Sequence, residues 1–245
     1  MRELFSFRIR QKVFLGWVSR VALDMKITRL DKTKRIYQPS FTPQLNWNIN
    51  LSPKLLFALA IQNSHITSRI GINESTLDLG SNLGFVALHV ARQFPNNFVL
   101  GIEPDTDLAE AANRSAEKTG MSNAVFQSLE INPQNIAALP NFDNVIFLSV
   151  FHQWVRSFGF DESSKMLDIL CEKTQKRMFF SMATTSGSPK NKNYLPDMGE
   201  TMEDSEDWIR QNVLGRPGFE IRMLDRIETT YESSMPRSLF LLSRI

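Results

Sequence analysis

Two apolar runs near the C-terminus, 220–228 and 238–244, are joined only by residues 229–237. A parallel crossover needs a dozen or more residues, so these two runs must pair antiparallel. Ahead of them, from Glu74 onward, short apolar runs alternate with amphipathic stretches, which is the signature of β-α-β units and a mostly parallel sheet. Residues 75–79, 98–102, 124–128, 144–149 and 177–183 read as five parallel strands. Helices are predicted at 84–93, 107–119, 162–174 and around 203–213, with a short one at 135–138. Five parallel strands closed by an antiparallel hairpin specify an α/β fold, a Rossmann-like doubly wound seven-stranded sheet over residues 74–245.

Residues 1–73 read as a helical extension. Phe5, Val13, Phe14, Trp17, Val18 and Val21 recur at helical spacing, and the first 36 residues hold ten basic side chains against Glu3, Asp24 and Asp31. The whole chain carries only +2, so this arm differs electrically from the remaining residues. It is expected either to pack on the main domain or to meet an anionic substrate, an RNA or, peripherally, a membrane surface. Prolines 39 and 43 interrupt regular structure, and Ser52-Pro53 begins a helix predicted to run to about Ser68. The longest apolar stretches fall short of the roughly 20 residues that span a bilayer, and Arg8, Arg10 and Lys12 break any secretory signal core. The single cysteine, Cys171, cannot form an internal disulfide. A cytoplasmic location is expected, and the sequence leaves the oligomeric state open.

The most informative segment, Thr76-Leu77-Asp78-Leu79-Gly80-Ser81-Asn82-Leu83-Gly84, leaves the first strand and enters the first helix. Ligands of open α/β sheets bind at this carboxyl edge. A dinucleotide site wants a glycine where Asn82 stands, and Asp78 is an unfavourable neighbour for a phosphate. A cationic ligand without phosphate is indicated. S-adenosylmethionine fits, with Asp78 at its methionine end, Gly80, Ser81, Asn82 and Gly84 forming the turn, and Glu103, at the second strand's end before Pro104, accepting from the ribose hydroxyls.

On these residues the chain resembles the Rossmann-like, seven-stranded S-adenosylmethionine-dependent methyltransferases, over about 74–245. Asp78, Gly80 and Gly84 match the D/E-x-G-x-x-x-G loop, and Glu103 matches the ribose acid. The resemblance implies a polar group facing the adenine amine after the third strand, where Ser128 and Glu130 stand in place of the usual aspartate. The fourth strand runs into Ser149-Val150-Phe151-His152-Gln153-Trp154 and looks like the corresponding segment of small-molecule methyltransferases. Methyl transfer is an in-line displacement, so catalysis is mostly positioning plus removal of a proton from the nucleophile. His152 is the histidine placed to take that proton, or alternatively a loop residue bonded to backbone. Ser149 and Phe151 are candidate cofactor contacts, and Trp154 and Trp47 candidate acceptor contacts, with corner packing the alternative for the rings of Phe151 and Trp154.

A closer but weaker resemblance joins 149–154, 158–160, 177–180 and 195–198 to uncharacterised methyltransferases associated with glycan and surface-polymer assembly. It implies O-methylation of a small hydroxylated acceptor, such as a sugar or glycan intermediate. Ser181-Met182-Ala183-Thr184-Thr185-Ser186 replaces the acidic, glutamine-containing loop of those proteins. The alternatives are an RNA methyltransferase using the basic arm and an inactive cofactor-binding partner protein. Residues 184–199 read as a lid or as a surface connection. Three histidines and one cysteine offer no zinc spacing, and no metal is expected.

Overall fold

A computed structural model describes residues 53–186, 188–227 and 236–245. The basic arm, with Trp17, Tyr37, Phe41 and Trp47, lies outside the described residues. Helix α1 (Pro53–Thr67) leads into β1 (Ser75–Leu79), α2 (Phe85–Gln93), β2 (Phe98–Glu103), α3 (Thr106–Thr119) and β3 (Ala124–Ser128). A single 3-10 turn (Ile136–Ala138) precedes β4 (Phe142–Leu148), followed by α4 (Phe151–Phe158), α5 (Phe160–Lys173) and β5 (Thr174–Ser181). Helix α6 (Met202–Ile209) widens into a π turn (Arg210–Leu214) before β6 (Phe219–Ile227) and β7 (Arg237–Arg244).

The sheet order is β3-β2-β1-β4-β5-β7-β6. Strands β1 to β5 are parallel, and β7 lies antiparallel between β5 and β6. This is the doubly wound, seven-stranded arrangement expected from the sequence, closing hairpin included. Its central strands are buried on both faces. Val145 and Phe147 of β4 join Met178 and Phe180 of β5 in one core with Trp154, Leu167 and Leu170, while Ile146 and Phe179 point the other way into a core with Ile66, Phe85, Val86 and Val90. Two-sided burial explains why β4 reads as an unbroken apolar run rather than an alternating one.

One helix is not among those expected from the sequence. Residues 151–158 form helix α4, separated from α5 by Gly159 alone, which takes φ 82. The chain therefore turns into a helix directly after β4, and His152 and Trp154, just beyond the sheet edge as expected, sit on its first turn. The apolar run of β4 continues through Val150 and Phe151, which hides the boundary. Strand β5 also starts at Thr174, earlier than expected.

At the amino ends of the strands a buried carboxylate ties three of them together. Glu74 accepts from Asn144 Nδ2 (2.9 Å), Arg177 (2.9 Å), Lys176 (3.1 Å) and the Gly71 N–H (2.8 Å), and Lys176 also pairs with Asp143 at 3.0 Å. Burial works to raise the Glu74 carboxyl, but these donors and the Arg177 charge overcome it and hold it below its ordinary range.

Candidate functional site

The chain leaves β1 through a turn whose backbone fixes its residue types. Gly80 (φ 77), Asn82 (φ 51) and Gly84 (φ 74) are left-handed, a region that glycine and asparagine reach at least cost. The Gly80 and Ser81 N–H groups donate to the Ile102 carbonyl of β2 at 2.8 and 3.0 Å, and the Gly84 N–H donates to Ser81 O at 2.8 Å. Both glycines are required by packing: a Cβ at Gly80 would lie 2.4 Å from Val150 Cγ2, and one at Gly84 would lie 2.6 Å from the Phe126 ring. Gly101 of β2 is likewise closed off by Phe126.

Asp78 ends up 3% exposed. It accepts from the Ala87 N–H in the first turn of α2, but its Oδ2 has no partner among the described residues. Burial, which the Ala87 bond only partly offsets, and the adjacent Glu103 charge push its carboxyl up to about 7. Two more buried polar atoms on the same turn, Ser81 Oγ and Asn82 Oδ1, are equally without partners. Buried orphans are uncommon in folded proteins, and three within five residues form a donor and acceptor set that suits an external polar ligand.

Glu103, at the end of β2, is held from two sides. Its Oε2 accepts from the Asn82 N–H at 2.9 Å and its Oε1 from the Asp105 N–H at 3.1 Å. Asn82 thus ties the turn after β1 to Glu103. Pro104 is exposed beside it, and Asp105 caps α3. Ser128, the last residue of β3, and Glu130 just past it are both exposed; Ser128 Oγ lies 2.9 Å from Thr106 Oγ1 and donates weakly to Pro104 O.

Beyond β4 the predicted residues separate. Ser149 is left-handed (φ 62), its N–H donates to Ser181 O at 2.8 Å, and its Oγ accepts from Arg237 of β7. Phe151 is fully buried, its ring between those of Phe160 and Phe180, and Trp154 packs on Phe147 with ring centroids 4.7 Å apart. Corner packing therefore accounts for both aromatic side chains, and Phe151 has no surface left for a cofactor.

His152 is 4% exposed, and its Nδ1 accepts from the Ala183 N–H at 3.2 Å. Its Nε2 then carries the ring proton, and it lies 3.0 Å from the Gln153 amide, a pairing satisfied when that amide presents its oxygen. Burial, reinforced by the Arg237 charge, drops the imidazole to about 3, so the ring is neutral. As a base it would first have to release the Ala183 N–H.

The segment after β5 is tied down rather than free. Thr184 Oγ1, Ser186 Oγ and Ser205 Oγ form a chain of bonds at 3.0 and 2.8 Å, Thr185 Oγ1 accepts from the Met198 N–H, and Asn191 donates to Thr184 O. Leu195 and Met198 enter the core, which favours the surface connection over the lid. Sequence reasoning missed Arg237, which arrives from a strand remote in the chain. Among the described residues there is no cluster of metal-ligating side chains and no helix long and apolar enough to cross a membrane.

No family model and no curated protein matches the chain. Among solved structures it is similar to the bifunctional kinase-methyltransferase WbdD, with 24% identity and a TM-score of 0.67 over 90% of this chain and 46% of that one. It is also similar to EvdMO1, with 19% identity and a TM-score of 0.51 over 78% and 41% of the two chains. A third is magnesium protoporphyrin IX methyltransferase (ChlM) from Synechocystis PCC 6803 with bound SAM, with 19% identity and a TM-score of 0.50 over 77% and 76%. The chain spans less than half the length of WbdD and of EvdMO1. The likeness is one of fold: the chain has the Rossmann-like, seven-stranded fold of class I S-adenosylmethionine-dependent methyltransferases.

Proposed function

We propose that this protein is an S-adenosylmethionine-dependent methyltransferase acting in the cytoplasm on a hydroxyl of a small acceptor, such as a sugar or glycan intermediate. The observation that carries the cofactor assignment is the end of β1 with the turn after it, where Asp78 Oδ2, Ser81 Oγ and Asn82 Oδ1 are buried without partners next to a second acid, Glu103. Two neighbouring carboxylates suit a ligand that is cationic and free of phosphate. Bound there, the cofactor would supply an electrophilic methyl group on a sulfonium.

Asp78 would accept from the ammonium of the methionine end, with Ser81 and Asn82 beside it. Glu103, its oxygens aimed by Asn82 and Asp105, would accept from the ribose hydroxyls. Ser128, Glu130 and Pro104 lie on the adenine side in this reading, Ser149 on the methyl side, and Trp154 and Trp47 are proposed acceptor contacts. The Trp154 role requires its ring to leave Phe147. The glycan class rests on the segment resemblance at 149–154 and its companions. His152 is the proposed base, acting once Ala183 N–H is released.

A second reading is favoured by that same bond and by the packed segment 181–186: a partner protein that holds the cofactor without transferring the methyl group. Titration calorimetry with S-adenosylmethionine and S-adenosylhomocysteine, then labelled transfer to fractionated glycan, lipid and RNA pools, separates the readings. Binding with label in a hydroxylated small-molecule pool supports the enzyme, binding without turnover supports the partner, and label in RNA supports the RNA alternative. No heat with either compound, alongside a clear signal with NAD or ATP, overturns the cofactor assignment.

A further inference from the structure

Arg237 belongs to β7 and lies far from the cofactor turn in sequence, yet a chain of contacts connects the two. Its guanidinium donates to Ser149 Oγ. Ser149 adopts φ 62, a left-handed backbone that costs a non-glycine residue energy and persists only where the surroundings enforce it. Two bonds do so here, the one from Arg237 and that from the Ser149 N–H to Ser181 O. The next residue, Val150, presses its Cγ2 into the space a Cβ of Gly80 would occupy. Gly80 in turn belongs to the turn that carries Asp78, Ser81 and Asn82.

We propose that Arg237 is a positioning residue for the candidate cofactor site: by holding Ser149 left-handed it seats Val150 against Gly80 and fixes the turn after β1. The inference rests on the cofactor reading above and names a residue that reading does not use. Charge-assisted hydrogen bonds are among the stronger polar contacts, so removing this one should be felt at the turn. A position that acts through backbone conformation also makes a specific claim. Its effect must vanish when residue 149 can be left-handed at no cost.

The test is a double-mutant cycle on the full chain, with S-adenosylhomocysteine as the probe in calorimetry and thermal melting as the check on folding. Arg237→Gln is expected to weaken binding about tenfold, the loss of roughly one such bond, without a matching loss of melting temperature. In a Ser149→Gly background, whatever affinity that variant itself has, Arg237→Gln should have no further effect, because glycine is left-handed without help. Arg237→Lys keeps the charge and one donor, should bind between wild type and Arg237→Gln, and serves in the cycle if Arg237→Gln does not fold. An equal loss in both backgrounds, or no loss in either, overturns the positioning role while leaving the cofactor assignment intact. Failure of the wild-type chain to bind the probe overturns the cofactor assignment, and with it the premise of this one.

Discussion

Asp78 is where chemistry and stability pull against each other. Its carboxyl is raised to about 7 in the folded chain against an ordinary 3.8, so between those values the folded state holds the proton more tightly than the unfolded state does. The free protein therefore loses stability as pH rises from about 4 to about 7, while a cationic ligand selects the ionised form. Affinity for S-adenosylhomocysteine, whose ammonium this carboxylate would meet, should climb about fivefold between pH 6 and 7 and level off above about pH 8, which calorimetry across pH checks. Asp78→Asn should raise the melting temperature of the free protein at pH 8 and abolish binding, a separation typical of residues kept for function. His152 yields a different expectation. With its ring near 3, transfer should show no inflection from this group around pH 6.5, and His152→Ala should spare cofactor binding, impair transfer and cost ~1–3 kcal/mol through the stranded Ala183 N–H. Both acids were legible in the sequence because each ends a strand at a recognised spacing. The partners of His152 and Ser149 were not, since Ala183 and Arg237 reach them only through strand pairing.

Among the elements, two glycines of positive φ separate conformational cost from packing cost: Gly84 (ψ 17) is left-handed, and Gly159 (ψ 165) lies in a region that essentially only glycine adopts. Gly159 (φ 82) stands between α4 and α5 in open space, where an added Cβ would meet nothing within 4 Å, whereas the same atom on Gly84 (φ 74) would collide with Phe126 and Ala112. Gly159→Ala should cost about 1–3 kcal/mol from the backbone alone and leave binding intact. Gly84→Ala adds a shift of Phe126 to its backbone cost and should weaken cofactor binding as α2 moves; calorimetry on the two variants, with urea melts beside it, checks that contrast. The strands were readable from their apolar runs and turn residues almost throughout. Helix α4 was not: its first residues continue the apolar run of β4, and eight residues ending at Phe158 are too few to show a helical period beside it. That short helix also directs Phe151 and Trp154 into the core, so one hidden boundary altered the expected environment of several site residues.

On the scale of the whole molecule, the amino edge of the sheet carries the stabilising polar network and the carboxyl edge the unsatisfied one. Glu74 joins β1, β4 and β5 through Asn144, Lys176 and Arg177, and because its carboxyl is held below the usual range, this contribution is present above pH ~4.5 and fades as acid protonates it. Glu74→Ala should destabilise by about 2 kcal/mol at pH 7, less near pH 3, with cofactor affinity unchanged at neutral pH; urea denaturation at the two pH values measures it. The antiparallel pairing of the last two strands was legible from the short distance between them in the chain, but that distance says nothing of the sheet order. That order also has a consequence for how the molecule is made. Strand β7 is inserted between β5 and β6, so β6 leaves the ribosome with no neighbour to pair with, and the slot beside β5 stays open until β7 emerges. Synthesis must run to Arg244 before either edge is covered, and a nascent chain stalled in this hairpin presents two bare strands to whatever chaperone or protease meets it first.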